Sequence, residues 1–143
     1  MLLSPTINNF HGRLLSITGT DPAAGAEISE TVPDRRRWRL YGLSYSLVAD
    51  SNPANRYVSL TIDDGTNNLF SYLMTNTQAE NLAYTYHHFA QNVAEFRTGS
   101  RIYAPLPTLL LASGFRIRTT TTDLQVGDNF SAPQLLVEEW IDP

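Results

Sequence analysis

Apolar and polar residues alternate with a period of two along most of this chain, the spacing of a half-buried β-strand. No segment of helix length carries an amphipathic pattern. The cleanest alternation runs from Arg56 to Ile62, with Val58, Leu60 and Ile62 facing inward and Tyr57, Ser59 and Thr61 outward. Arg35 to Ala49 is the longest strand signal, yet Trp38 and Leu40 fall on one parity and Leu43, Tyr45 and Leu47 on the other. One face cannot hold both sets at a strict period of two, so the pattern predicts a β-bulge at Gly42. Shorter strands are predicted over 27–32, where Pro33 ends an edge strand, and over 69–74, 79–89, 108–111, 115–121 and 135–141. Residues 78–83 also fit a helical turn, and 91–96 are ambiguous because Val93 and Phe96 sit three apart.

The joints carry turn chemistry. Asp50-Ser51-Asn52-Pro53 reads as a loop, 124–128 as a turn, and Asp63-Asp64-Gly65-Thr66-Asn67-Asn68 as a hairpin turn, since Asp-Gly tolerates positive φ. Leu106 to Ile117 joins a Leu-Pro start, an apolar run, a break at Gly114 and a new strand. About eight strands spaced this way predict an all-β antiparallel sandwich, with the jelly roll as first choice. Residues 1–25 differ. Pro5, Asn8, Asn9, Gly12, Gly19, Pro22 and Gly25 interrupt short apolar pieces containing Ile7, Phe10, Leu14, Leu15 and Ile17. Such a segment has no core of its own, which predicts an irregular N-terminal arm laid on the domain or on a neighbouring subunit, ahead of a domain spanning 26–143.

Composition narrows the chemistry. The chain has 143 residues, the size of one ordinary domain, and 42% hydrophobic against 17% charged residues, which fits a packed core. There is no cysteine, so disulfides, thiolate metal sites and thiol nucleophiles are excluded. All ten basic residues are arginine; without lysine a phosphate-binding P-loop is excluded. The net charge of −4 argues against nucleic acid as a partner. The N-terminus lacks the basic and apolar regions of a signal peptide, and no apolar run is long enough to span a membrane, so the expectation is a protein made in a cytoplasm without a membrane partner.

Candidate reactive groups resolve toward structural roles. His87 and His88 are adjacent, and adjacent side chains on a strand point to opposite faces, which argues against a shared metal. Asp63 and Asp64 lack the spacing of a calcium loop, with Thr75 where its closing glutamate belongs. No Gly-x-Ser-x-Gly elbow occurs, and Asp123, Asp128, Glu138 and Glu139 read as surface acids instead of a glycosidase pair. The expectation is no catalytic residue, no metal and no cofactor. Arg35-Arg36-Arg37-Trp38-Arg39 is the one notable charge cluster; on a strand Arg35, Arg37 and Arg39 share a face and Arg36 joins Trp38. Such a run is either a solvated strand end or a contact patch for an acidic protein surface, because Arg and Trp dominate interface hot spots.

The order of these pieces resembles accessory virion proteins of tailed bacteriophages, above all jelly-roll capsid decoration (cement) proteins. The residues that carry the likeness are Val32-Pro33 with Arg37-Trp38-Arg39-Leu40, then Arg56 through Gly65, Leu106-Pro107, Leu111, Gly114-Phe115-Arg116-Ile117 and Val137-Glu138-Glu139. They spread over about residues 26–141 without one signature motif. The resemblance implies a non-enzymatic, trimeric protein on the exterior of a capsid, in contact with a major capsid protein or another virion protein. Arg35, Arg36, Arg37, Trp38 and Arg39, with Ile7, Phe10 and Leu14 of the arm, are then the interaction residues. The rival expectation is a carbohydrate- or receptor-binding module, or a neck or tail component, with Tyr72, Tyr84, Tyr86 and Trp140 lining a sugar groove.

Overall fold

The computed structural model describes residues 12–91 and 94–142. Among them there are strands, turns and bends and no helix, arranged as two sheets packed into a sandwich. The larger sheet runs β1 (Arg13–Thr18), β12 (Gln134–Ile141), β3 (Arg36–Val48), β6 (Ala83–Phe89), β8 (Arg101–Pro105), β7 (Phe96–Thr98). Two short strands, β9 (Leu110–Leu111) and β11 (Asn129–Phe130), also pair with β3. The smaller sheet runs β2 (Ser29–Thr31), β10 (Arg116–Thr122), β4 (Tyr57–Asp63), β5 (Asn68–Leu73). Pairing is antiparallel throughout except between β6 and β8, which are parallel.

β3 organises the larger sheet. Its 13 residues outrun every neighbour, so β12 and β11 share one edge while β6 and β9 share the other. The predicted bulge is there. Leu136 pairs with Gly42 and Val137 with Leu40, leaving Tyr41 as the extra residue. That one-residue slip turns Trp38, Leu40, Leu43, Tyr45 and Leu47 all inward, each at most 4% exposed. From the opposite sheet Val58, Leu60, Ile62 and Ile117 face them, each at most 1% exposed. The Asp63–Asn68 turn forms as predicted: Gly65 takes φ 97°, and the Asp64 carboxylate accepts the backbone N–H groups of Thr66 and Asn67.

Besides β8 and β11, which no predicted strand covers, the structure departs from the sequence pattern in three places. Residues 13–18 are not irregular: they form β1, the edge strand on β12, with Leu15 and Ile17 packed on the core and Leu14 outward. Residues 78–82 stay outside β6, turning at Asn81 with φ 61°. Thr61 points outward yet is 1% exposed, because Thr120 and Ser71 flank it across the strands and their hydroxyls lie 3.1 and 3.3 Å from its own.

One end of the sandwich is locked by a buried arginine. Arg56, 0% exposed, puts Nε and Nη2 on the two carboxylate oxygens of Asp128, both at 2.9 Å, and Nη2 also donates to Asp50 at 2.8 Å. Its Nη1 donates to the Ala54 carbonyl. Asp128 further accepts the backbone N–H groups of Asp50 and Gln125, and its own carbonyl accepts Gly25 N–H. Beside it Gln78, also 0% exposed, donates to the Leu47 and Leu82 carbonyls and accepts the Tyr86 hydroxyl. Burial opposes ionisation of Asp128, but the Arg56 fork and the two N–H donors outweigh it and hold its pKa below the ordinary range. Removing one member of such a cluster strands the others without solvent. Arg56→Leu is therefore expected to cost about 3–5 kcal/mol, read as a lower urea midpoint at unchanged slope.

Candidate functional site

The arginine run enters β3 where β12 leaves the sheet. Antiparallel register places Arg39 beside Glu138, Trp38 beside Glu139 and Arg37 beside Trp140. Arg37 Nε donates to Asp142 at 2.7 Å. Arg39 lies 3.5 Å from Glu138 and stands over the Trp140 ring, 5.2 Å from its centroid. Glu139 is buried; it accepts Trp38 Nε1 at 2.9 Å and Arg13 at 3.2 Å, and Arg36 Nε lies 3.6 Å away on the same side. Four of the five residues are thus engaged across the strands with the acidic end of β12. Arg35 differs. It is exposed, holds φ 58°, and has no carboxylate partner among the described residues. Leu14 is 64% exposed on β1 of the same sheet, while Ile7 and Phe10 lie outside the described residues.

The outer face of the larger sheet carries a second feature. After the bulge, β3 sends Gly42, Ser44 and Ser46 outward, a row of small side chains. Larger residues flank Gly42 and Ser44 on both neighbours: His87 and Phe89 on β6, Gln134 and Leu136 on β12. The result is an open trough of about 350 Å³ lined also by Ser16 and Tyr41. His87, Tyr103 and Phe96 stack in sequence away from it, with centroids 5.2 and 4.7 Å apart. His87 Nδ1 meets the Ser44 hydroxyl at 3.1 Å, and burial with the nearby Arg101 charge lowers its pKa. Glu138, two residues beyond Leu136 on β12, accepts the Tyr41 hydroxyl and Gly12 N–H. No local pattern announces this trough, because its walls come from strands that are remote in sequence.

The remaining candidates are separated from one another. His88 points into the core, opposite to His87, 1% exposed, with Nε2 at 3.0 Å from the Tyr45 hydroxyl. Among the described residues no group of three or more His, Asp and Glu side chains gathers where a metal could be held. Asp63, 1% exposed, is clamped by Arg116 and Arg118 and accepts Gly65 N–H. Those contacts override its burial and lower its pKa. Asp128 sits by the Val48 end of β3 and Glu138 and Glu139 by the Arg36 end, so they form no carboxylate pair. Tyr84 and Tyr86 are buried core residues and Tyr72 packs against the core, which leaves only Trp140 of the four aromatics on the outer side, under Arg39. Those four do not line one groove.

No protein-family model matches the chain, and no curated protein matches it. Among solved structures, it is similar to dimeric latent PorU from Porphyromonas gingivalis, at 11% identity and a TM-score of 0.39. That likeness covers 92% of this chain and 13% of PorU, and at that TM-score it carries no argument here.

Burial drives the His88 pKa down to about 4, the Pro105 carbonyl contact opposing only in part. Unfolded, the same imidazole takes a proton near pH ~6.5. Between those values the unfolded chain binds more protons than the folded one, so stability falls as the pH drops from ~6.5 toward 4. The expected loss across this window is roughly 3 kcal/mol. Denaturant midpoints measured along a pH series should show it, and His88→Gln should flatten the slope. Asp63 and Asp128, with lowered values, act only further into acid.

Proposed function

We propose that the protein is a non-enzymatic structural protein of a phage virion, one that decorates and stabilises a capsid through protein–protein contacts. The observation that carries this reading is the strand order. The sheets β1-β12-β3-β6 and β2-β10-β4-β5 face each other, and β1 to β6 pass between them in alternation except at the β4–β5 hairpin. We read this as the two interlocked Greek keys of an eight-stranded jelly roll, to which β7, β8, β9 and β11 are added. Jelly rolls serve capsid, lectin and cupin domains. Of these the cupin reading has the least support, since His87 and His88 point to opposite faces and the buried carboxylates are held by arginines.

On this reading the partners are a major capsid protein and further copies of the same chain, with a homotrimer as the assembly on the capsid exterior. Arg35 is the residue of the basic run that remains for such a partner. A non-glycine residue at positive φ stores about 1 kcal/mol or more of strain, and such strain concentrates at functional positions. The second reading, a carbohydrate- or receptor-binding module of a neck, tail or fibre, is favoured by the aromatic-walled trough.

Two tests follow from the geometry. Deleting residues 1–11 spares β1 and should leave a folded protein that no longer co-sediments with capsids of the encoding phage; full-length levels of co-sedimentation would remove the arm from the interface. Arg35→Gly should raise stability by about 1 kcal/mol in denaturant unfolding while weakening capsid binding. Gain of stability with undiminished binding would show that Arg35 is not a contact.

A further inference from the structure

We infer that the trough over Gly42 is a binding site for a neutral oligosaccharide. The inference rests on the second reading above and gives it a location and a ligand class. Three observations carry it. The floor is nearly bare, because Gly42 and Ser44 present little side chain between two raised walls. An extended, ribbon-like ligand lying along β3 fits such a shape.

The lining combines apolar surface with polar groups that keep bonding capacity. Phe89 and Tyr41 offer ring surface and Leu136, 42% exposed, offers an aliphatic wall. The Gln134 side chain accepts the Thr18 hydroxyl through Oε1, and its Nε2 meets no partner among the described residues. His87 uses Nδ1 on Ser44, and its Nε2 likewise meets none. Sugars present C–H faces to rings and hydroxyls to amides and imidazoles, so both kinds of surface are met at once.

The third observation is charge. Burial and the nearby Arg101 charge disfavour a proton on His87, and Glu138, next to Tyr41, is already engaged by Tyr41, Gly12 and Arg39. With no unpaired cation or anion among these lining residues, the site complements an uncharged ligand.

Gly42 supplies the test. A Cβ built there meets Leu136 Cβ at 3.7 Å and the His88 carbonyl at 3.8 Å, ordinary contacts, and its φ lies outside the left-handed region. Gly42→Leu should therefore fold normally and fill the floor. The full chain is screened on an array of neutral and carboxylated oligosaccharides, and hits are titrated by NMR with cellotetraose, maltotetraose, chitotetraose and tetragalacturonate as probes. Binding to neutral probes is expected, weakened by about tenfold or more in Gly42→Leu and in Gln134→Ala at unchanged melting temperature. Absence of any neutral hit, preference for tetragalacturonate, or undiminished binding by Gly42→Leu overturns the inference. Loss of capsid co-sedimentation is a separate outcome: a chain that sediments with capsids and binds no oligosaccharide refutes the trough alone.

Discussion

The rest of the structure depends on a charge that has no access to water. Arg56 sits wholly inside the protein, and a guanidinium can stay there only if carboxylates and carbonyls surround it. Its partners come from the β3–β4 connection and the turn before β11, while the Asp128 and Asp50 carbonyls hold Gly25 of the β1–β2 connection and Asn81 of the turn before β6. Four chain reversals between the sheets are therefore fixed by one ion cluster. Coulomb attraction in such a site is largely offset by desolvation, so the cluster contributes position more than energy. If the β3–β4 connection or the turn before β11 drew back, it would leave a bare charge behind.

The second constraint is the single extra residue at Tyr41. Without it the first and second halves of β3 would present their apolar residues to opposite sides of the sheet. With it the core is continuous, and the small residues that follow are turned outward together. The bulge thus sets both the joint burial of Trp38 and Tyr45 in one core and the bare strip of Gly42, Ser44 and Ser46 on the other face. Core and candidate site are two faces of one slip in register.

The alternating pattern made the sandwich legible, and even the bulge, because parity is a local property of sequence. Turn chemistry at Asp63–Asn68 was legible for the same reason. What stayed hidden depended on distant partners. β8 is a parallel neighbour of β6, ending in Pro105, and neither feature advertises a strand. β1 looked irregular because its short apolar pieces acquire a period only once β12 lies beside them. The arginine run was visible as a cluster, but its pairing with Glu138, Glu139 and Asp142 joins positions about a hundred apart in the chain. In the sequence Arg56 is only the head of a strand, since burial is not written in the residue itself.

The place of β12 has a consequence for how the chain is made. It is the last of the described strands in chain order, yet it lies inside the larger sheet, between β1 and β3. Until it emerges from the ribosome, the long central strand has an open edge along most of its length and the first strand has nowhere to pair. The nascent chain thus carries unsatisfied strand edges while the strands from β1 to β11 are made, the condition under which β proteins associate wrongly or call on chaperones. Closure of this sheet waits for β12, which joins β1 to its centre.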